Sequence, residues 1–379
     1  MTEIYLIRHT QAEGNLYRMM QGHWDGDVTQ LGLKQIDALG DRFRNIHLDA
    51  VFSSDLYRAM ITASALTREN RLQILPVKEL REIDLGPWEQ LFFGNVMHDE
   101  PELSDLFMYD SEKWKIDGAE TFEDVKNRAV RKVQELSRRY DGKTIAIVSH
   151  GVTIRCFLSG IFDIPLTDLK RNPICGNTAV TKLFYHDDQF TAEYVNDTSH
   201  LGQLGGRKWS ATNDLRDEIF DPSSEPDLYQ QCYSEAWELA HHGEHIPNPE
   251  PYFRSAVKHF HNYHRAVLKL LDGESTAGLL DMDTERGRDS GYGWISLLYL
   301  KPEYRMKGYG IQALARAIQE YRKLGRRSIR LSVNEENLNA IKFYDKNGFV
   351  IIKKECGMNG IIYTMEKNLE RRNLCLTKE

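Results

Sequence analysis

Much of the reading comes from what this chain has little of. Its five cysteines, Cys156, Cys175, Cys232, Cys356 and Cys375, are odd in number and never in CxxC spacing. Neither a disulfide framework nor a thiolate zinc site is indicated, and a reducing cytoplasm is the expected setting. Positive charge is also short: 49 Lys and Arg stand against 56 Asp and Glu, a net charge of −7. Nucleic acid and anionic membrane both favour a basic face, so neither is expected as a partner. Small phosphorylated ligands stay open, because they need only a local cation cluster. No apolar run approaches the roughly 20 residues that span a bilayer, and no basic segment leads into an apolar one near the start, which argues against a signal peptide. Internal repeats and low-complexity tracts are missing too.

What is present implies more than one core. A chain of 379 residues exceeds a typical single domain. The best boundary is "SHLGQLGGRKW", where three glycines within Gly202 to Gly206 interrupt the pattern. We therefore expect domains over residues 1–205 and 206–379.

The first segment alternates strand and helix. "IYLIRH" is followed by the helical "TQLGLKQIDALGDRFRNI", "DAVFSSD" by "LYRAMITASALTREN", and "KTIAIVSHG" by "VTIRCFLSGIF". This pattern predicts a mostly parallel sheet covered by helices on both faces, with ligands beyond the carboxyl ends of the strands. Each of the three strands ends in cationic groups: Arg8 and His9, then Arg58, then His150. One such ending could simply mark where a strand reaches water. Three at the same edge predict a pocket for a dianionic phosphoryl group, with arginine supplying the forked donors and the helix after His150 adding its amides.

These residues resemble the histidine phosphatase, or phosphoglycerate-mutase-like, superfamily over roughly the first 200 residues. The resemblance is carried in order by "LIRHT", Asn15, "QG" at Gln21 and Gly22, "TQLG", "FSSDLYRAMITA", "LREIDLGPWE", "GAETFEDVKNRA" and "IVSHG". It implies a three-layer α/β sandwich and a phosphomonoesterase that needs no cofactor. It makes His9 the nucleophile, Arg8, Arg58 and His150 holders of the phosphoryl oxygens, Glu82 the proton donor to the leaving oxygen, and Asn15 and Gln21 pocket residues. The short stretch from Glu82 to His150 favours water over a second substrate oxygen as acceptor, hence a phosphatase over a mutase. Trp88 reads as core, Thr121 with Asp124 as a capping box, and Asn177 as a turn residue. Gln90 stands where the family commonly has glycine. The segment 90–115, with its phenylalanines, tyrosine and tryptophan, reads as a cover hinting at a ligand with an apolar or ring portion.

The second half poses its own question in "LYLKPEYRMKGYGIQALARAIQEY". A strand, a glycine loop and a helix with alanines and leucine at helical spacing would bring backbone amides and a helix start to a pyrophosphate. Arg305, Gly308 and Gly310, and downstream "NEENLNAIKFYDKNGFV", resemble the two signatures of the GNAT superfamily of acyl-CoA-dependent N-acyltransferases over about residues 207–368. The resemblance implies a smaller mixed α/β domain that uses acetyl-CoA and an amine acceptor. The diphosphate would sit at Arg305, Lys307, Gly308 and Gly310, the pantetheine arm along Leu298 to Leu300, Asn337 would belong to the cofactor site, and Tyr344 would protonate the departing thiolate. The strand "GYGWISLLYL" carries no carboxylate, so water between backbone carbonyls, Tyr299, Ser296 or Glu274 stay open as the base. Six of the 13 histidines fall between His241 and His264; without an HExxH signature they read as solvent-facing rather than metal-binding.

The expected protein is thus a phosphatase fused to an acetyltransferase, acting on small molecules. The alternative is a phosphatase or mutase whose C-terminal domain senses acetyl-CoA without transferring it. Oligomeric state, phosphoester and acetyl acceptor are not set by these features.

Overall fold

The computed structural model describes residues 1–371 apart from 70–71, 169, 206–213, 242, 244–247 and 358–359. The chain divides into two compact units between Ser210 and Ala211. The boundary expected after residue 205 adjoins 206–213, which lie outside the described residues.

The first unit runs β1 (Thr2–Arg8), α1 (Glu13–Tyr17), α2 (Gln30–Phe43), β2 (Ala50–Ser53), α3 (Tyr57–Ala63), β3 (Ile74–Pro76), α4 (Phe93–Asp99), α5 (Pro101–Tyr109), α6 (Phe122–Arg139), β4 (Thr144–Ser149), α7 (Gly151–Phe162), β5 (Val180–His186) and β6 (Gln189–Asp197). The sheet order is β3-β2-β4-β1-β5-β6. The first four are mutually parallel, while β5 and β6 are antiparallel additions. Alternation along the strands divides the core. Ile4, Leu6, Phe52, Ile145 and Ile147 pack with Val133, Leu136 and Phe157 from α6 and α7. Tyr5, Ile7, Val51, Ala146 and Val148 pack with Ile36, Leu39 and Ile61 from α2 and α3. A helix layer on each face explains why Ile4 to Ile7 is apolar without interruption. Thr121 caps α6 and exchanges hydrogen bonds with Asp124, so the capping box is complete.

The second unit runs β7 (Arg216–Ile219), α8 (Pro226–Ala240), α9 (Glu250–Asn262), β8 (Val267–Asp272), β9 (Ser275–Asp283), β10 (Tyr292–Leu300), α10 (Tyr309–Lys323), β11 (Ser328–Asn334), α11 (Leu338–Lys346), β12 (Val350–Gly357) and β13 (Gly360–Asn368). Its sheet, β12-β13-β11-β10-β9-β8-β7, is antiparallel except between β10 and β11. Tyr229, Cys232 and Ala256 from α8 and α9 pack on Leu279, Leu297 and Tyr299. β10 pairs with β11 only over Tyr292 to Ile295, then shifts register against β9 at Ser296. Among the described residues, Ser296 to Leu300 has no ladder on its β11 side, which leaves strand-edge amides and carbonyls unpaired by that neighbour.

Candidate functional sites

In the first unit Arg8 pairs with Ser149 in register, so the residues that follow, His9 and His150, come side by side with ring centroids 5.0 Å apart. Both are buried. Burial first, then the charge of Arg58, pushes each imidazole's pKa well below 6.5, so both are neutral near pH 7. His9 Nδ1 lies 2.6 Å from the Thr10 carbonyl oxygen. A carbonyl only accepts, so Nδ1 carries the proton and Nε2 keeps its lone pair. A neutral imidazole with a free Nε2 is a competent nucleophile.

Around this pair lie donors that the protein leaves unused. Arg58, fully buried, gives Nη2 to the Gly22 carbonyl at 2.7 Å and Nη1 to that of Trp24 at 3.0 Å. Arg8 gives Nη1 to the Cys175 carbonyl. Among the described residues, Arg8 Nε, Arg58 Nε, His150 Nδ1 and both polar atoms of the Gln21 side chain are buried without a hydrogen-bond partner. A Cβ on Gly14 would lie 2.2 Å from Gln21 Oε1, and one on Gly151 would lie 3.3 Å from the Arg8 guanidinium. Glycine at these positions is what lets both side chains seat. Buried orphan donors are costly, and an anion with several oxygens would accept from Arg8 Nε, Arg58 Nε, Gln21 Nε2 and a protonated His150 Nδ1, while Gln21 Oε1 would need a hydroxyl or N–H partner.

Glu82 lies beside the start of α7. Its carboxylate accepts from the amides of Val152 at 3.2 Å, Thr153 at 3.0 Å and Ile83 at 3.2 Å, so it is fixed on a helix N-terminus. Arg128 donates to the carbonyls of Glu79, Arg81 and Glu82, clamping the segment that carries it. Asn15 Oδ1 accepts from the Ala12 amide and from Asn177 Nδ2, leaving its own amide nitrogen to donate.

Several of these partners escaped the sequence reading. Ser54 Oγ meets His150 Nε2 at 2.8 Å and fixes that ring; its place directly after a strand in "FSSD" was the available signal. Glu89 accepts from the amides of Gly22, His23, Trp24 and Leu85 and shapes the loop beside Arg58. Asn177 is more than a turn residue, since its side chain joins the His9 carbonyl to Asn15. The aromatics of 90–115 are mostly committed elsewhere: Phe93, Phe107 and Trp114 pack with the buried Trp88, so they are core and lend no support to a ring-bearing ligand. Gln90 adopts φ +66°, the left-handed region where glycine is unstrained, which accounts for the family preference at that position.

In the second unit the loop between β10 and α10 places Gly308 at φ +90° as the N-cap of a 15-residue helix. A Cβ on Gly310 would press on the Phe343 ring at 3.2 Å. Arg305 Nε ties the loop back to the Leu300 carbonyl at 2.9 Å, and Lys307 lies 5.4 Å from the Tyr304 ring centroid. Leu298 and Leu300 lie on the splayed half of β10. Asn337 is a helix cap, its side-chain oxygen accepting from the Ala340 amide at 3.1 Å. Tyr344 is buried between Phe343 and Phe349, and burial pushes its hydroxyl pKa up, so it stays protonated.

Of the bases left open, Glu274 is exposed and paired with Arg216, and the Tyr299 hydroxyl donates to Glu235. The histidine reading also changes. His245 lies outside the described residues, and His241 stacks on Trp237 with centroids 4.0 Å apart. His259 is buried, donating to Asp281 at 2.8 Å and facing Asp283 at 3.4 Å. Burial opposes its charge, but these hydrogen bonds win and hold its pKa near 9.

Comparison with known proteins fits this geometry. Residues 4–198 match the model of the histidine phosphatase superfamily (branch 1). The chain belongs to that superfamily. Residues 226–349 match the acetyltransferase (GNAT) family model. The chain is 27% identical over 204 residues to phosphoserine phosphatase 1 of Hydrogenobacter thermophilus, covering 54% of this chain and 96% of that one. It is 26% identical over 206 residues to a probable phosphoglycerate mutase GpmB of Salmonella choleraesuis, covering 53% and 95%. The structure of Bacillus stearothermophilus YhfR is similar with a TM-score of 0.51 and 31% identity, over 53% of this chain and all of that one. The superfamily's phosphatases and mutases thus both occur among the relatives. Among the described residues no helix is long and apolar enough to cross a membrane.

Proposed function

We propose that the chain is a bifunctional enzyme that hydrolyses a small phosphomonoester through a phosphohistidine at His9 and transfers an acetyl group from acetyl-CoA to an amine. The observation that carries the first half is the set of buried, unpartnered donors at Arg8, Arg58, His150 and Gln21 beside a neutral His9. Phosphoryl transfer asks mainly for positioning and charge neutralisation, and this set supplies both from side chains. His9 Nε2 attacks phosphorus, the ester P–O bond breaks, and Glu82 gives its proton to the leaving oxygen. Water then attacks the phosphohistidine, with Glu82 taking the proton back. The short span from Glu82 to His150 favours water over a second substrate oxygen as acceptor. The test is phosphate release from an aryl phosphate and a panel of sugar and nucleotide monophosphates with chelator present. His9→Ala should abolish release; full activity in that variant, or interconversion of phosphate positions without release, would refute the assignment.

The second half rests on the splay of β10 from β11 and on Gly308 at the start of α10. Gly308 and Gly310 would let backbone amides meet the diphosphate with Arg305 and Lys307 nearby, and the strand edge from Leu298 to Leu300 would hold the pantetheine amides. Acetyl-CoA supplies the acyl group as a thioester. Tyr344, kept protonated by burial, would give its proton to the departing sulfur. The absence of a carboxylate on β10 itself favours a second reading, in which this unit binds acetyl-CoA only as a sensor; turnover of any amine would exclude it.

A further inference from the structure

A transferase needs a group to take the proton of an ammonium acceptor, and β10 has no carboxylate of its own. The fold brings one to it from a helix. Tyr299 lies in the splayed half of β10 and points into the layer formed with α8, since it shares a core cluster with Tyr229 and Cys232. Its hydroxyl donates to Glu235 Oε2, and Gln231 Nε2 donates to Glu235 Oε1 at 2.8 Å. The carboxylate is thus held in one orientation with a lone pair remaining on each oxygen. Arg305 of the glycine loop lies 5.6 Å from the Tyr299 ring centroid, so the pair adjoins the residues expected to hold the coenzyme.

Neighbouring carboxylates are less suited. Asp281 pairs in register with Leu297, on the same face as Tyr299, but it is only 1% exposed, and its two oxygens are taken by Tyr229 and His259. Asp283 is engaged by His259 and by the amides of Glu285 and Arg286. Glu235 is half-buried: shielded enough to be held, and open enough to be reached.

We propose that Glu235, oriented by Tyr299, is the group that binds the acceptor's ammonium and takes its proton, and that the acceptor is therefore a cationic amine approaching the solvent-reachable side of this carboxylate on α8. This rests on the transferase reading above. The ammonium gives one proton to Glu235, and the freed lone pair forms the C–N bond to the acyl carbon. The C–S pair leaves with sulfur, which takes a proton from Tyr344. Tyr344 recovers the second nitrogen proton, and Glu235 releases the first to water.

The experiment uses the full chain, acetyl-CoA and a panel of primary amines comprising an alkyl diamine, an arylalkylamine and an amino-acid ester, with thiol release as the readout. Glu235→Gln and Glu235→Ala should each lower kcat/KM by about 100-fold or more, the usual scale for a general base. Formate should restore at least about tenfold of the rate in Glu235→Ala but not in Glu235→Gln, which has no space for it. Coenzyme A affinity, measured by calorimetry, should stay within about twofold in both variants. Butylammonium binding in the presence of coenzyme A, followed by ligand-observed NMR, should weaken in both. Tyr299→Phe, which keeps the carboxylate but frees its orientation, should fall between wild type and Glu235→Gln. Turnover with unchanged rate and unchanged ammonium binding in Glu235→Gln would overturn the assignment alone. Coenzyme A binding without turnover of any amine would overturn the transferase reading and this assignment with it.

Discussion

Acidification should unfold the first unit sooner than its surface charge alone would suggest, because His9 and His150 are buried and neutral. Both have folded pKa values well below 6.5, whereas in an unfolded chain they would titrate near 6.5. Their contribution is fully present above that pH and is lost as pH falls below it, since the unfolded state then binds protons that the folded state refuses. At pH 5.5 an unfolded histidine of pKa 6.5 gains a little over about 1 kcal/mol from protonation, so the two together cost the fold at most about 3 kcal/mol, the full amount if both stay neutral in it. For a unit of this size that is a fall in Tm of roughly 6 to 12 °C between pH 7.5 and 5.5. His200, held near 4 by burial and Arg42, pushes the same way. In the other unit His259, held near 9, has the opposite sign: its contribution is complete below pH 6.5 and is lost as pH rises through 9. Scanning calorimetry of the full chain in buffers free of phosphate gives the comparison, because a bound anion would favour the charged imidazoles. His150→Asn should remove about half of the 3 kcal/mol acid sensitivity from the transition it affects. A transition insensitive to pH between 7.5 and 5.5, or one as sensitive in His150→Asn as in wild type, would refute the reasoning.

Two further outcomes follow from single contacts. Glu82→Gln should slow first-turnover release of the alcohol from alkyl phosphates by about 100-fold or more while affecting that from an activated aryl phosphate far less, because only the poor leaving group needs the proton; equal first-turnover losses on both would point to a purely structural Glu82. Gly308→Val should weaken coenzyme A binding at least about tenfold by calorimetry, since a β-branched side chain resists φ +90° and crowds the amides; unaltered binding would remove the loop from the cofactor site.

The parallel sheet was legible because its strands are short apolar runs separated by helices of clear period. The same regularity put Arg8, His9 and His150 at one edge, and the structure places them there. Partners set by distant chain segments were not legible. Ser54 meets His150 across 96 positions and Asn177 meets the His9 carbonyl across 168, and neither contact follows from local pattern. The aromatics of 90–115 show the reverse failure: composition suggested a ligand surface, while packing against Trp88 uses them as core. In the second unit the glycine loop could be read directly. Glu235 could not, because a helical carboxylate becomes relevant to β10 only once α8 is folded onto the sheet.

The most direct measurement is to trap the covalent species. Brief incubation of the full chain with a 32P-labelled phosphomonoester and chelator, followed by denaturation in alkali and peptide mapping, should recover an acid-labile, alkali-stable phosphoryl group on the peptide containing His9. The label should be absent from His9→Ala and, with an activated aryl phosphate whose leaving group needs no acid, should accumulate when Glu82→Gln slows its attack by water. Label on another residue, or phosphate release by wild type with no phosphohistidine at the earliest quench times, would contradict the account.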